Sequence, residues 1–188
     1  GLDRFYDLHY IECDSPIPHA ARPVIYQPLA NMSMANRVEG MQVTGEGIRD
    51  LMAVHDASGF IHATYEEAPL LRRLLTSDRL MWHDQSTKSS TLQDFYDGGR
   101  GRVLVGSGMR EGIDLKGARA HWQVVTKIPF PNLGDSWTKA KAESDPSWLA
   151  AQAIQELLQA VGRVCRGPDD HGTTYIFDSR FAQLYHDN

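Results

Sequence analysis

Cysteine is almost missing from this 188-residue sequence: only Cys13 and Cys165 occur, far apart. A disulfide framework or a cysteine-based zinc site needs more thiols at closer spacing, so neither is expected. Eight histidines are scattered without an H-E-x-x-H pair or other ligand spacing, which argues against a metal held by the chain itself. No apolar run approaches the roughly 18 to 20 residues a membrane span requires, and no basic, apolar leader opens the sequence, so a cytoplasmic protein is expected. A basic excess is lacking too, the formal net charge being −5. Phosphate neutralisation favours a basic surface, so contact with nucleic acid should be local and autonomous binding weak. Internal repeats and low-complexity tracts are also absent.

What is there suits one globular domain, with 41% hydrophobic and 23% charged residues. Residues 1–23 show little periodicity, and S-P-I-P followed by R-P reads as an extended connector. A first strand is expected over Val24 to Pro28. Ile48, Leu51, Met52 and His55 recur at helical spacing and place a helix over Glu46 to Ala57. Gly59 to Ala63 reads as a buried strand, after which Thr64 and Glu67 form a capping box for a helix with Leu70, Leu71, Leu74 and Leu75 inward. Further strands are expected over Arg79 to His83, Arg102 to Gly106, Arg119 to Ile128 and Thr173 to Asp178, with short helices over Thr91 to Tyr96 and Ser179 to His186. Phe181, Leu184 and Tyr185 should face the core. Asn132 to Asp145 reads as a polar, mobile loop. Strands alternating with helices give an α/β fold with a mainly parallel sheet covered on both faces.

The chemistry concentrates in two segments. In Q-E-L-L-Q-A-V-G-R-V-C-R, running to a stop at Gly167-Pro168, Gln159, Arg163 and Arg166 are four and three residues apart and share one helix face. Leu157, Leu158, Val161, Val164 and Cys165 lie off that face and can pack on a sheet. Two guanidiniums side by side make a fork for a polyphosphate; a solvated amphipathic helix with surface arginines fits the spacing equally well. The other segment, V-G-S-G-M-R-E-G-I-D-L-K-G at Val105 to Gly117, nearly spells a dinucleotide fingerprint and a P-loop. It fails both, for the intervals and the Lys-Ser/Thr are wrong. Glu111 and Asp114 could tie this loop as Asx-type turns. Gly98 to Arg102 reads as a turn.

Together these two segments resemble motifs VI and V of superfamily-2 helicases of the XPD/DinG family, over about Ser15 to Tyr185. K-I-P-F-P-N-L-G-D at Lys127 to Asp135 resembles the segment that follows motif V, and the strand-to-helix junction at Thr64 resembles motif IV. The resemblance implies the second of two motor domains with a RecA-like three-layer sandwich, residues 24–188, behind a connector from the first motor in residues 1–23. It implies an ATP-dependent DNA helicase translocating 5′ to 3′, with ATP and Mg2+ as cofactors and the first motor and single-stranded DNA as partners. Arg163 and Arg166 would be arginine fingers. Glu111, Gly112, Asp114 and Gln159 would face ATP. Thr64, Tyr65, Ser107, Gly108 and Arg110 would face DNA; at Thr64 the capping and phosphate roles are compatible. G-x-x-x-x-G-K-[ST] and D-E-x-H are missing from the sequence, so the magnesium ligands and any iron–sulfur cysteines would lie in the first motor. The expectation is half of a motor, inactive alone. A stand-alone, non-catalytic module that binds and regulates a helicase or single-stranded nucleic acid is the alternative; the acidic balance and missing Walker residues favour it, while the intact glycines and both arginines weigh against it.

Overall fold

The computed structural model describes residues 15–109, 113–115, 117–145 and 147–186; for Ala118, Tyr185 and His186 it describes the backbone alone. Six strands form one sheet in the order β1-β6-β5-β2-β4-β3, and every neighbouring pair is parallel. They are β1 (Val24–Ala30), β2 (Gly59–Ala63), β3 (Leu80–Trp82), β4 (Val103–Ser107), β5 (Trp122–Val125) and β6 (Thr173–Asp178). The inner strands are rich in apolar residues because both faces are covered, with buried Gln123, Thr174 and Asp178 among the polar exceptions. Ile61, Val105, Val124 and Phe177 pack to one side, while Phe60, Leu104, Val125 and Ile176 pack to the other.

The first face is covered by α1 (Arg37–Val54) and α2 (Ala68–Leu74). Met41, Ile48 and Leu51 of α1 and Leu71 of α2 are buried there. The helix expected over Glu46 to Ala57 starts nine residues earlier and ends at Val54. Its glycines conceal the beginning from periodicity: a Cβ at Gly47 would lie 2.4 Å from Leu29 and one at Gly40 2.9 Å from Met32, so close packing on β1 selects glycine.

The other face carries α3 (Lys88–Asp97), α5 (Ser147–Val161), α6 (Phe181–His186) and the segment between β4 and β5. That crossover contains no α-helix among its described residues, only a 3-10 turn at Gly117–Arg119. Met109, Ile113 and Leu115 fill the space a helix would take, and the resembling motif V lies along them.

Three expectations are corrected. A helix, α4 (Ser136–Ser144), occupies the expected polar loop; its N-cap carboxylate Asp135 accepts from the Thr138 amide at 2.8 Å. No residue of α4 is buried, so no apolar stripe announces it; Trp137 meets Trp148 of α5 edge to face at 5.6 Å. The strand expected over Arg119 to Ile128 shrinks to Trp122–Val125. Leu158, expected inward, is 65% exposed. Among the described residues no helix is long and apolar enough to cross a membrane. Of the expected connector, residues 1–14 lie outside the described residues, and residues 15–23 lead through a short 3-10 turn at His19–Ala21 into β1.

Candidate functional site

β2 and β4 are neighbours in register, with Ala63 opposite Ser107, so the turns leaving them are adjacent. Ligands of open parallel sheets bind beyond such carboxyl ends. After β2, the Thr64 amide donates to the Glu67 carboxylate at 2.8 Å and the Glu67 amide donates to the Thr64 hydroxyl at 3.2 Å, the expected capping box. Glu67 is fully buried and also accepts from the Thr126 hydroxyl at 3.0 Å, which ties this turn to the end of β5. After β4, Gly108 adopts φ +64° beneath the Tyr65 ring, where a Cβ would stand 2.5 Å from ring carbon. Glycine is required twice over, for the left-handed conformation and for the ring. Tyr65 itself is half exposed.

Ser107 is buried, and its amide donates to Nε2 of His83 at 3.0 Å. Its hydroxyl is thereby turned into the protein, while Gly108 is exposed above it. Lys88 at the start of α3 donates to the Gly108 carbonyl at 3.1 Å. Lys88 and His83 escape sequence reasoning because they reach this turn from another strand and helix. Arg110, Glu111 and Gly112 lie outside the described residues.

At the far end of the same segment a second group converges. The Asp114 amide donates to the Tyr96 hydroxyl at 2.9 Å. Its carboxylate takes Arg119 at 3.0 Å and faces Arg166 at 3.9 Å. The Arg119 guanidinium also lies over the Tyr96 ring, 4.4 Å from its centre. Arg163 and Arg166 donate to one acceptor, the Ile113 carbonyl, at 3.3 and 3.4 Å. Arg163 and Arg166, expected as fingers, and Asp114, expected to face the nucleotide, therefore meet here.

The geometry that unites the arginines differs from the expected helix face. α5 ends at Val161, and Gly162 and Arg163 form a turn. Buried Gln123 of β5 takes the helix's last carbonyls, its amide nitrogen donating to Ala160 at 2.9 Å and Val161 at 3.2 Å. With those carbonyls satisfied and glycine next, the chain leaves the helix. Asp170 then secures the turn by accepting from the Arg166 amide at 3.1 Å and the Gly117 amide at 3.0 Å. Gln159 remains on α5, exposed and one turn away from the arginines. Val164 and Cys165 are buried beside the turn, and burial pushes the Cys165 thiol pKa up, with Asp170 adding to the effect. Among the described residues no three His, Cys, Asp or Glu side chains converge as metal ligands, so these residues do not by themselves fit a magnesium site.

The family model described as helicase C-terminal domain matches residues 38–187. The ATP-dependent DNA helicase YoaA of Escherichia coli is 24% identical over 180 residues, which are 89% of this chain and 28% of that protein. The XPD helicase subunit of general transcription and DNA repair factor IIH from Dictyostelium discoideum is 26% identical over 163 residues, covering 78% of this chain and 21% of that protein. The chain thus spans under a third of the length of these relatives. Among solved structures, apo XPD matches with a TM-score of 0.72 at 17% identity, over 88% of this chain and 37% of that one. Xpd4 of S. tokodaii matches at 0.65 and 17% identity, over 88% of this chain and 36% of that one. At such identities the likeness establishes the fold, which is RecA-like.

Proposed function

The chain belongs to the helicase C-terminal domain family, resembling its XPD/DinG-type members, and from that premise we propose that it is the second motor of an ATP-dependent DNA helicase. The observation that carries this reading is the meeting of Arg163, Arg166 and Asp114 around the Ile113 carbonyl. Two guanidiniums held on the backbone of a loop, with the Asp114 carboxylate beside Arg166 and Arg119, are positioned to take a phosphoryl oxygen. In this reading a nucleotide bound on a first motor draws Arg163 and Arg166 away from Ile113 as the cleft closes. Phosphoryl transfer then proceeds with its developing charge neutralised by the two arginines.

The loop between β4 and β5 connects the two groups. Its first residue, Gly108, lies under Tyr65; its middle carries Ile113 and Asp114. Thr64, Tyr65 and Gly108 would grip a single strand. At Ser107 the contact would pass through the turn that it supports, since its hydroxyl faces His83. Gln159 would reach the nucleotide from α5, and Glu111, Gly112 and Arg110 would act within the loop. The proposed partners are a first RecA-like motor and single-stranded DNA, with ATP and Mg2+; alone the chain would not turn over ATP.

The test uses the complete two-motor protein. Arg166→Ala should lower ATP turnover by about two to four orders of magnitude, as arginine-finger losses do elsewhere, with little change in single-strand affinity. Arg166→Lys should rescue poorly because an ammonium lacks the planar two-donor fork. Steady-state ATPase and fluorescence anisotropy, with a thermal melt to verify folding, decide it. Full activity in Arg166→Lys, or lost DNA binding with hydrolysis retained in Arg166→Ala, would reject the assignment.

A further inference from the structure

The segment Lys127 to Asp135 has no part in the function above, yet it walls a groove of about 690 Å3 that begins at Thr64 and Tyr65. Three large apolar side chains stand exposed around this groove: Met34 at 80%, Leu133 at 51% and Tyr65 at 50%. Exposed apolar residues scattered singly need no explanation, but a group lining one concavity does. The wall is preset. Buried Asp178 accepts from the Ile128 amide at 2.9 Å and pairs with Arg180 at 2.8 Å, and the Arg180 guanidinium lies 5.2 Å from the centre of the Phe130 ring. The Asn132 side chain accepts from the Gly134 amide at 2.9 Å, fixing the turn at the tip.

The charges in the groove are largely cancelled. Arg180 is neutralised by Asp178, and Glu66 is paired with Arg37. Lys127 makes no ion pair among the described residues and is the groove's lysine, bordering also the neighbouring cavity that Glu67 and Glu156 line. Aromatic and aliphatic walls with one lysine suit nucleobases and a phosphate. Continuity selects a strand over a protein segment as the occupant. The Tyr65 ring covers Gly108 at one edge and borders the groove at the other, so a chain leaving the Thr64–Gly108 turn passes directly into it.

We propose that this groove is a base-stacking extension of the single-strand path, with Tyr65, Phe130 and Leu133 holding bases and Lys127 a phosphate. The inference rests on the reading that the Thr64–Gly108 turn meets DNA, and the experiment separates the two. Oligonucleotides carrying 5-iodouracil are irradiated with the chain at low salt and the adducts are mapped by mass spectrometry. Adducts are expected on Tyr65 and on Phe130 or Met34. Leu133→Asp, an exposed position whose folding is verified by circular dichroism, should abolish the adducts on Phe130 and Met34. It should weaken binding of a long oligothymidylate by about five-fold or more, the effect of losing a stacked base, while a short one that spans only the turn binds unchanged. Adducts beside Tyr65 and Gly108 with none on Met34 or on residues 130–134 would overturn the groove and leave the turn standing. No adducts anywhere would overturn both. A groove that seats a protein segment instead would confine adducts to the turn and leave oligothymidylate affinity indifferent to Leu133→Asp, which also rejects the proposal.

Discussion

The ring of His55 stacks on Trp122 at 5.5 Å, and its Nε2 meets the Tyr175 hydroxyl at 2.8 Å. Burial, reinforced by Arg79, holds its pKa below the ordinary 6.5, so the fold favours the neutral ring. His121 is depressed in the same way, first by burial and then by His171 and Arg100. A depressed histidine contributes stability that is present above the unfolded value near 6.5 and is lost as pH falls through the lower folded value. The melting temperature should therefore fall between about pH 7.5 and pH 5, and His55→Gln with His121→Gln should flatten that profile; thermal melts across pH test it. Single residues were legible in the sequence when a motif named them, as with Asp114, Arg163 and Arg166. Gln123, Lys88 and Asp170 were not, because each acts on a backbone group that the tertiary fold brings near: Ala160 for Gln123, Gly108 for Lys88 and Gly117 for Asp170.

Among elements, the sheet and most helices follow from periodicity, and the misses have physical causes. α4 lacks an apolar stripe, the early turns of α1 hide behind glycines, and α5 stops short because Gln123 takes its last carbonyls. The far end of α1 depends on one side chain. Arg79 donates to the carbonyls of Met52 at 2.6 Å, His55 at 2.7 Å, Ala57 at 3.1 Å and Gly101 at 2.6 Å. Those groups join the end of α1 to the turn before β4, and nothing in the local sequence marks Arg79 for the task. Arg79→Ala leaves several carbonyls without their charged donor and should cost about 2 to 4 kcal/mol. Urea unfolding should show a lower midpoint at an unchanged slope; a loss within error would mean that water replaces the guanidinium without penalty.

For the molecule as a whole, an acidic chain with a net charge of −5 presents few cations to a strand, Lys88 and Lys127 among the described residues near the proposed path. With about two phosphates neutralised, the logarithm of affinity should fall with the logarithm of salt at a slope of about −1.4. A slope steeper than about −4, measured by anisotropy, would reveal a further basic surface in contact with the strand. The Ile113 carbonyl carries a last consequence at this scale, because one oxygen serves two arginines. On the proposed reading, closure of the motors is a swap of acceptors in which the donors never go unserved. Such a swap releases the carbonyl that parked the arginines when they depart. The loop carrying it then has reason to move at the moment the nucleotide is gripped, so the timing signal from Ile113 to Gly108 would be a release rather than a push.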